Sequence, residues 1–208
     1  TSRLGSARSS PMPDFDLHTA EISVAGAYIS IQGLYLFALG SVLHEDRIPV
    51  YRIGGHCQAG ETAWECALRE ASEETGLHIR PLEPECKYQV AEHPTEIELQ
   101  EIEWRREGPY EPTPLLVRAV CSEGKTLLSV MYLAQADELP TPSSEVKGLL
   151  LLNEENIYEL CQRSLTLEQY LANGGQAMLK YEFDQSLILE PFLQLRALSK
   201  LLELSTIT

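Results

Sequence analysis

Gly55-His56-Cys57-Gln58-Ala59-Gly60-Glu61-Thr62-Ala63-Trp64-Glu65-Cys66-Ala67-Leu68-Arg69-Glu70-Ala71-Ser72-Glu73-Glu74-Thr75-Gly76-Leu77 places a glycine turn immediately before a helix that carries three carboxylates on one face. Residues three and four apart on an α-helix are neighbours, so Glu70, Glu73 and Glu74 converge within about one 5.4 Å turn. Solvated acidic helices usually alternate Glu with Lys or Arg at this spacing, whereas the only base in this turn is Arg69. Three like charges so close call for a cation. Oxygen ligands with no convergent His or Cys favour Mg²⁺ or Mn²⁺ over Zn²⁺. Mg²⁺ binds through a few carboxylates plus substrate phosphates, which fits cleavage of a pyrophosphate by a water whose pKa the metal lowers and whose proton a free carboxylate accepts.

Working outward, Gly54-Gly55 lacks side chains and lets the backbone approach the ions closely. Glu61 is expected just inside the helix start, where the helix dipole favours an anion. Arg69 is expected to pair with the neighbouring carboxylates and hold their rotamers rather than touch substrate. Ala63, Trp64, Ala67, Leu68 and Ala71 recur at helical spacing beside the acidic face and read as core. Neutral isosteres at Glu70, Glu73 and Glu74, taken as solvent-facing, are expected to leave the fold intact.

Upstream, residues 1–18 are rich in Ser, Pro and Arg and read as a flexible arm. Residues 19–208 read as a single domain. From Ile22 the pattern is strand-like, with Gln32-Gly33 as a hairpin turn between Tyr28–Ile31 and Leu34–Phe37. After a loop over His44–Pro49, Val50–Ile53 reads as the strand that delivers the glycines. Downstream, Lys87–Val90, Pro114–Val120, Leu127–Leu133 and Val146–Leu152 read as strands. Thr95–Pro114 reads as an extended insertion or flexible hairpin near the site. Asn153 can cap a helix through Cys161, Leu165–Asn173 is a second helix, and Ser186–Leu204, with Pro191 in its opening turn, is the longest helix candidate. These C-terminal helices occupy about 153–204. The apolar breadth of the last one suggests burial against the core or a homodimer contact.

Composition narrows the partners. A formal net charge of −15 over 208 residues offers no basic stripe for a nucleic acid polymer. A small anionic substrate would depend on bound metal and a few local cations, of which Arg52, Arg118 and Lys147 are phosphate-partner candidates. His56, in the glycine loop, is a candidate substrate contact. The five cysteines, with no CxxC pair, indicate neither a disulfide framework nor a zinc knuckle. No run is apolar enough to span a membrane, and the opening residues lack a signal-peptide core. The expected setting is the cytoplasm.

The stretch resembles the signature of the Nudix hydrolases: Gly, five residues, Glu, seven residues, Arg-Glu, a hydrophobic, any residue, Glu-Glu, any residue, Gly, a hydrophobic. Gly55, Glu61, Arg69, Glu70, Glu73, Glu74 and Gly76 fill the fixed positions, with Ala71 and Leu77 at the hydrophobic ones. At ordinary residue frequencies such a match arises by chance on the order of once in a million chains of this length. The resemblance implies an α/β fold, a Nudix-type α/β/α sandwich with a mixed β-sheet, here with a C-terminal helical extension. It implies a divalent-metal-dependent hydrolase that cleaves the diphosphate linkage of a small nucleoside-diphosphate-type substrate. It also implies that the Gly55 carbonyl joins Glu70, Glu73 and Glu74 as a metal ligand. Several family members place a further glutamate in a loop before a late strand, where it completes metal coordination or takes the proton of the attacking water; Glu145 is similar in position, with Glu138 as the substitute. Pro94, seventeen residues past Leu77, is a weak likeness to the marker of ADP-ribose-type members. Where the family often has proline before the paired glycines, this sequence has Ile53. The alternative reading is a Nudix-like nucleotide-binding or sensing module without turnover.

Overall fold

The computed structural model describes residues 16–44, 46–93, 96–106, 108 and 110–205. Most of the expected arm, together with Pro94, Thr95 and two later positions of the expected insertion, lies outside the described residues. In chain order the elements are β1 (Glu21–Ile31), β2 (Leu34–Leu39), β3 (Arg47–Tyr51), β4 (Ile53–His56), α1 (Ala63–Thr75), β5 (Arg80–Leu82), β6 (Tyr88–Glu92), β7 (Ile97–Glu101), β8 (Leu116–Ser122) and β9 (Lys125–Gln135). They continue with β10 (Gly148–Leu152), α2 (Glu154–Gln162), α3 (Leu167–Ala172), β11 (Gln176–Leu179), β12 (Ile188–Pro191) and α4 (Leu193–Ser205).

The strands form one open, mixed sheet whose main path runs β11-β10-β2-β1-β9-β8-β6-β7. At its centre β1 and β9 pair in parallel, while β1–β2 and β8–β9 are antiparallel hairpins. Both hairpin turns put two successive residues at positive φ, Gln32-Gly33 at 51° and 82° and Glu123-Gly124 at 50° and 78°. That is the primed geometry whose twist matches the flanking strands.

The sheet separates two cores. On one face α1 buries Ala63, Cys66, Ala67 and Ala71 against residues of β1 and β9, with Trp64 and Leu68 half-buried around them. On the other face α2 and α4 bury Ile157, Leu160, Leu195, Leu198 and Leu201. Helices on both faces of a mixed sheet make the expected α/β/α sandwich.

Several boundaries depart from the sequence reading. The strand before the glycines starts earlier, at Arg47, and breaks at Arg52, because β3 pairs with β2 and β12 while β4 pairs with β1. Ile188–Pro191 is not the opening of a helix but β12, parallel to β3. A short apolar run has no period that separates strand from helix, and Pro191, which has no N–H to give, ends the strand instead of starting the helix. α4 is therefore 13 residues, the same length as α1. The second C-terminal helix is shorter than expected, beginning after its Thr166 cap.

The apolar breadth that suggested a homodimer is taken up within the chain, since Leu193, Leu195, Ala197, Leu198 and Leu201 of α4 are all buried in its own core. The 96–114 segment contributes β7 to the sheet, packs Ile102 and Trp104 against the α1 face, and brings Glu111 to the α1 N-terminus, where it accepts from the Trp64 N–H at 3.3 Å. Among the described residues no helix is long and apolar enough to cross a membrane.

Candidate active site

The glycine turn meets α1 where β1 and β4 come closest. Gly54 has φ 144°, and a Cβ there would stand 2.4 Å from the Gly26 Cα; one on Gly26 would stand 2.3 Å from the Ile53 carbonyl oxygen. Two strands this close, with their backbones facing, admit only glycine at both positions. Gly55 serves a different purpose, because a Cβ there would lie 2.6 Å from the carboxylate of Glu70. The missing side chain leaves the room that Glu70 fills.

α1 starts at a reciprocal capping box: the Glu65 N–H donates to Thr62 Oγ1 at 3.2 Å and the Thr62 N–H donates to Glu65 Oε2 at 2.8 Å. The helix ends at Gly76 with φ 69°. Thr62 being the cap, Glu61 lies before the helix, not inside its first turn as the sequence suggested. Its carboxylate turns to the Gln58 N–H and to Arg69 instead of to the helix dipole.

Arg69 is the hub. Its Nε donates to Glu61 Oε1 at 2.8 Å, its Nη1 to Glu70 at 2.5 Å and Glu73 at 2.9 Å, and its Nη2 to Glu61 Oε2 at 3.1 Å and to the His56 carbonyl at 3.0 Å. One planar guanidinium thus ties three acidic side chains to the glycine loop. These bonds push the Arg69 pKa up, with Glu61 the largest cause, and hold Glu61 below the usual carboxylate range. They also bend Glu70 and Glu73 towards Arg69, and no three His, Cys, Asp or Glu side chains among the described residues form a closed cluster that could hold a metal.

Exposure distinguishes the three helix carboxylates. The Glu73 side chain is 45% exposed, but that of Glu70 is only 13% exposed and Glu74 is 7% exposed as a residue. The expectation of three solvent-facing groups is corrected here: Glu74 points at the glycine turn, where its Oε2 accepts from the Gly54 N–H at 2.9 Å. Burial pushes its pKa up to about 7, helped by the charges of Glu70 and Glu145 and opposed by the Gly54 bond and Arg52. The Gly55 carbonyl faces α1, within 3.6 Å of the Cys66 thiol.

Glu145 reaches this centre from another part of the chain. The loop before β10 is tied to the end of α1, with the Ser143 N–H donating to the Glu74 carbonyl at 3.1 Å and the Thr141 N–H to that of Thr75 at 2.8 Å. Lys180 Nζ donates to the Ser143 carbonyl at 2.9 Å, and the Glu145 N–H to Ser143 Oγ at 3.2 Å. Glu145 itself is exposed, and its charge acts on both Glu74 and Tyr51, whose phenol is pushed up to about 12, chiefly by burial. Glu138 is exposed in the bend after β9.

The other candidates part company. Arg52 is half-buried and within electrostatic reach of Glu74 and Glu70, whereas Lys147 stands over the Tyr181 ring at 5.3 Å. His56 contributes its carbonyl to Arg69 and leaves its side chain exposed. All five cysteines are free thiols. Sequence reading passed over Cys66, Glu111 and Lys180. Glu111 and Lys180 act across 47 and 37 residues of chain, a separation at which no local pattern signals a contact.

The donor set suits a hard divalent cation: carboxylate and carbonyl oxygens only, on a cradle opened by Gly55, with a carboxylate among them whose pKa burial, and then its acidic neighbours, raise. Residues 44–105 match the model of the NUDIX domain. No curated protein matches the chain significantly. Among solved structures, the chain overlaps a NUDIX-family hydrolase of Clostridium perfringens (16% identity, 66% of this chain and 83% of that one, TM-score 0.44). It overlaps the E. coli ORF135 protein (16%, 70% and 83%, 0.44) and the MutT protein of Methanosarcina mazei Go1 (16%, 68% and 83%, 0.41). These overlaps are loose and carry no argument; the filled signature lies inside the match, and residues 44–105 carry a NUDIX domain.

Proposed function

We propose that the chain is a divalent-metal-dependent hydrolase that cleaves the diphosphate linkage of a small nucleoside-diphosphate-type substrate. The observation that carries this reading is the approach of Glu70 and Glu74 to the Gly54-Gly55 turn, with Arg69 tying Glu70 to Glu73 and the charge of Glu145 acting on Glu74. Glu70, Glu73, Glu74 and the Gly55 carbonyl would hold Mg²⁺ or Mn²⁺. When bound, such an ion neutralises phosphate charge and lowers the pKa of a water.

The remaining work falls to the chain's own side chains. Arg69 fixes the rotamers of Glu61, Glu70 and Glu73. The Gly54 N–H holds one oxygen of Glu74 and so fixes its carboxylate at the glycine turn. Glu145, exposed and with its N–H held by Ser143, would accept the proton of the attacking water. A partner nucleic acid polymer is disfavoured by the charge of −15. The unbridged thiols support a reducing compartment, the cytoplasm.

The test is a panel of nucleoside-diphosphate compounds incubated with Mg²⁺ or Mn²⁺ and assayed for released monophosphate. At least one compound should be cleaved at its diphosphate linkage. Saturable binding of panel members with no product under either metal would favour a nucleotide-binding or sensing module.

A further inference from the structure

Outside the signature, two guanidinium groups share one carboxylate, and a third, within electrostatic reach of one of them, borders the carboxylate centre. Arg52 leaves the sheet between β3 and β4, one step past the Ala27–Ile53 pair and so opposite Tyr28. The Tyr28 hydroxyl donates to the Gln194 carbonyl at 2.8 Å, and the Phe192 N–H donates to the Val50 carbonyl at 3.0 Å, which sets the first turn of α4 over the same strands. From that helix Arg196 donates to Glu92 Oε1 at 3.1 Å, and from β8 Arg118 donates to Glu92 Oε2 at 3.4 Å. Arg52 feels Arg118 on one side and Glu74 and Glu70 on the other.

Arg52 Nε is buried with no hydrogen-bond partner, the only such side-chain nitrogen or oxygen among the described residues. An unmet buried donor on a charged group is costly, and a like charge nearby adds to the cost. Arg118 and Arg196 share the one carboxylate of Glu92, which leaves a local excess of one positive charge there, with Arg52 close by, in a chain of net −15. Planar, fork-shaped donors in excess match phosphate oxygens, which accept two bonds from each fork.

We propose that Arg52, Arg118 and Arg196 form an anion subsite that continues from the Glu70–Glu74 centre and takes a phosphate group of the ligand. Resting on the hydrolase reading, this assigns the substrate class to nucleotides that carry phosphate beyond the cleaved linkage. Glu92 acts as the placeholder that the phosphate displaces from Arg118 and Arg196.

Calorimetric titration of the full chain with inorganic pyrophosphate tests the subsite. The protein is first stripped of metal on a chelating resin, and ionic strength is held constant with chloride. The wild type should bind one pyrophosphate saturably. Arg118→Gln and Arg196→Gln, on half-buried side chains whose loss leaves the fold in place, should each weaken binding about tenfold, as expected for losing a hydrogen bond to a charged group. Glu92→Gln should tighten binding, because it frees two forks. Absence of saturable binding, affinities within twofold of wild type in both arginine variants, or weaker binding in Glu92→Gln would overturn the proposal. Because the titration involves neither metal nor turnover, an inactive enzyme leaves its result readable, and hydrolysis without pyrophosphate binding counts against the subsite alone.

Discussion

Glu74 and Glu73 share a helical turn yet live in different surroundings, and the difference can be measured. Glu74 has a folded pKa of about 7 against an ordinary 4.5, raised first by burial. The native state therefore holds a proton that the unfolded chain releases, so its contribution to stability is fully present below the unfolded value and is lost as pH rises through about 7. In metal-free buffer the melting temperature should fall between pH 5 and 8, with a contribution on the order of 3 kcal/mol, and Glu74→Gln should flatten the profile. A wild-type melting temperature that holds steady or rises across that window contradicts the burial account. For Glu145 the expectation is kinetic: a group that accepts the water's proton acts in the transition state, so Glu145→Gln should lower kcat by about 10²-fold with KM within about twofold. An unchanged kcat returns Glu145 to the surface. The Arg69–Glu73 pairing was legible in the sequence because i,i+4 neighbours are fixed by helix geometry alone. The burial of Glu74 was not, since it depends on how closely Gly26 lets β4 approach β1. Nor was the convergence of Arg52, Arg118 and Arg196, which four strands and a distant helix assemble.

The glycine turn is the element on which the centre depends. Gly54→Ala meets both an unfavourable φ of 144° and a Gly26 Cα at 2.4 Å, whereas Gly60→Ala meets a φ of 83° with nothing within 4 Å. Left-handed strain alone costs about 1–2 kcal/mol for a residue with a Cβ, so chemical denaturation should show Gly60→Ala losing about that much. Gly54→Ala should lose clearly more, because the strands must part. Equal losses would mean that backbone conformation, not close approach, sets the requirement for glycine. Elements that announce themselves through local chemistry were readable in advance: the Gln32-Gly33 hairpin, the Asn153 cap of α2 with its side chain accepting from the Asn156 N–H, and α1 itself. Elements defined by a partner were not. β12 exists because β3 offers it an edge, β11 because β10 does, and Ile188-Leu189 or Ala177-Met178 alone carries no sign of either.

Across the whole molecule, the two faces of the sheet divide the labour. The α1 face carries the carboxylates and the α4 face carries Arg196, while Arg52 lies where β2 and β4 pair successive parts of β1. That arrangement brings negative and positive groups together in a chain whose overall charge would otherwise repel a diphosphate. The most direct test of the central claim is the rate of monophosphate release from a cleaved panel compound as free Mg²⁺ is titrated, for wild type and Glu70→Gln side by side. The wild-type rate should rise to saturation, vanish with excess chelator and return when Mg²⁺ is restored, while Glu70→Gln stays about 10²-fold or more lower at saturating metal. Turnover that survives chelation, or a Glu70→Gln rate close to wild type, would contradict a metal-dependent reaction at these carboxylates.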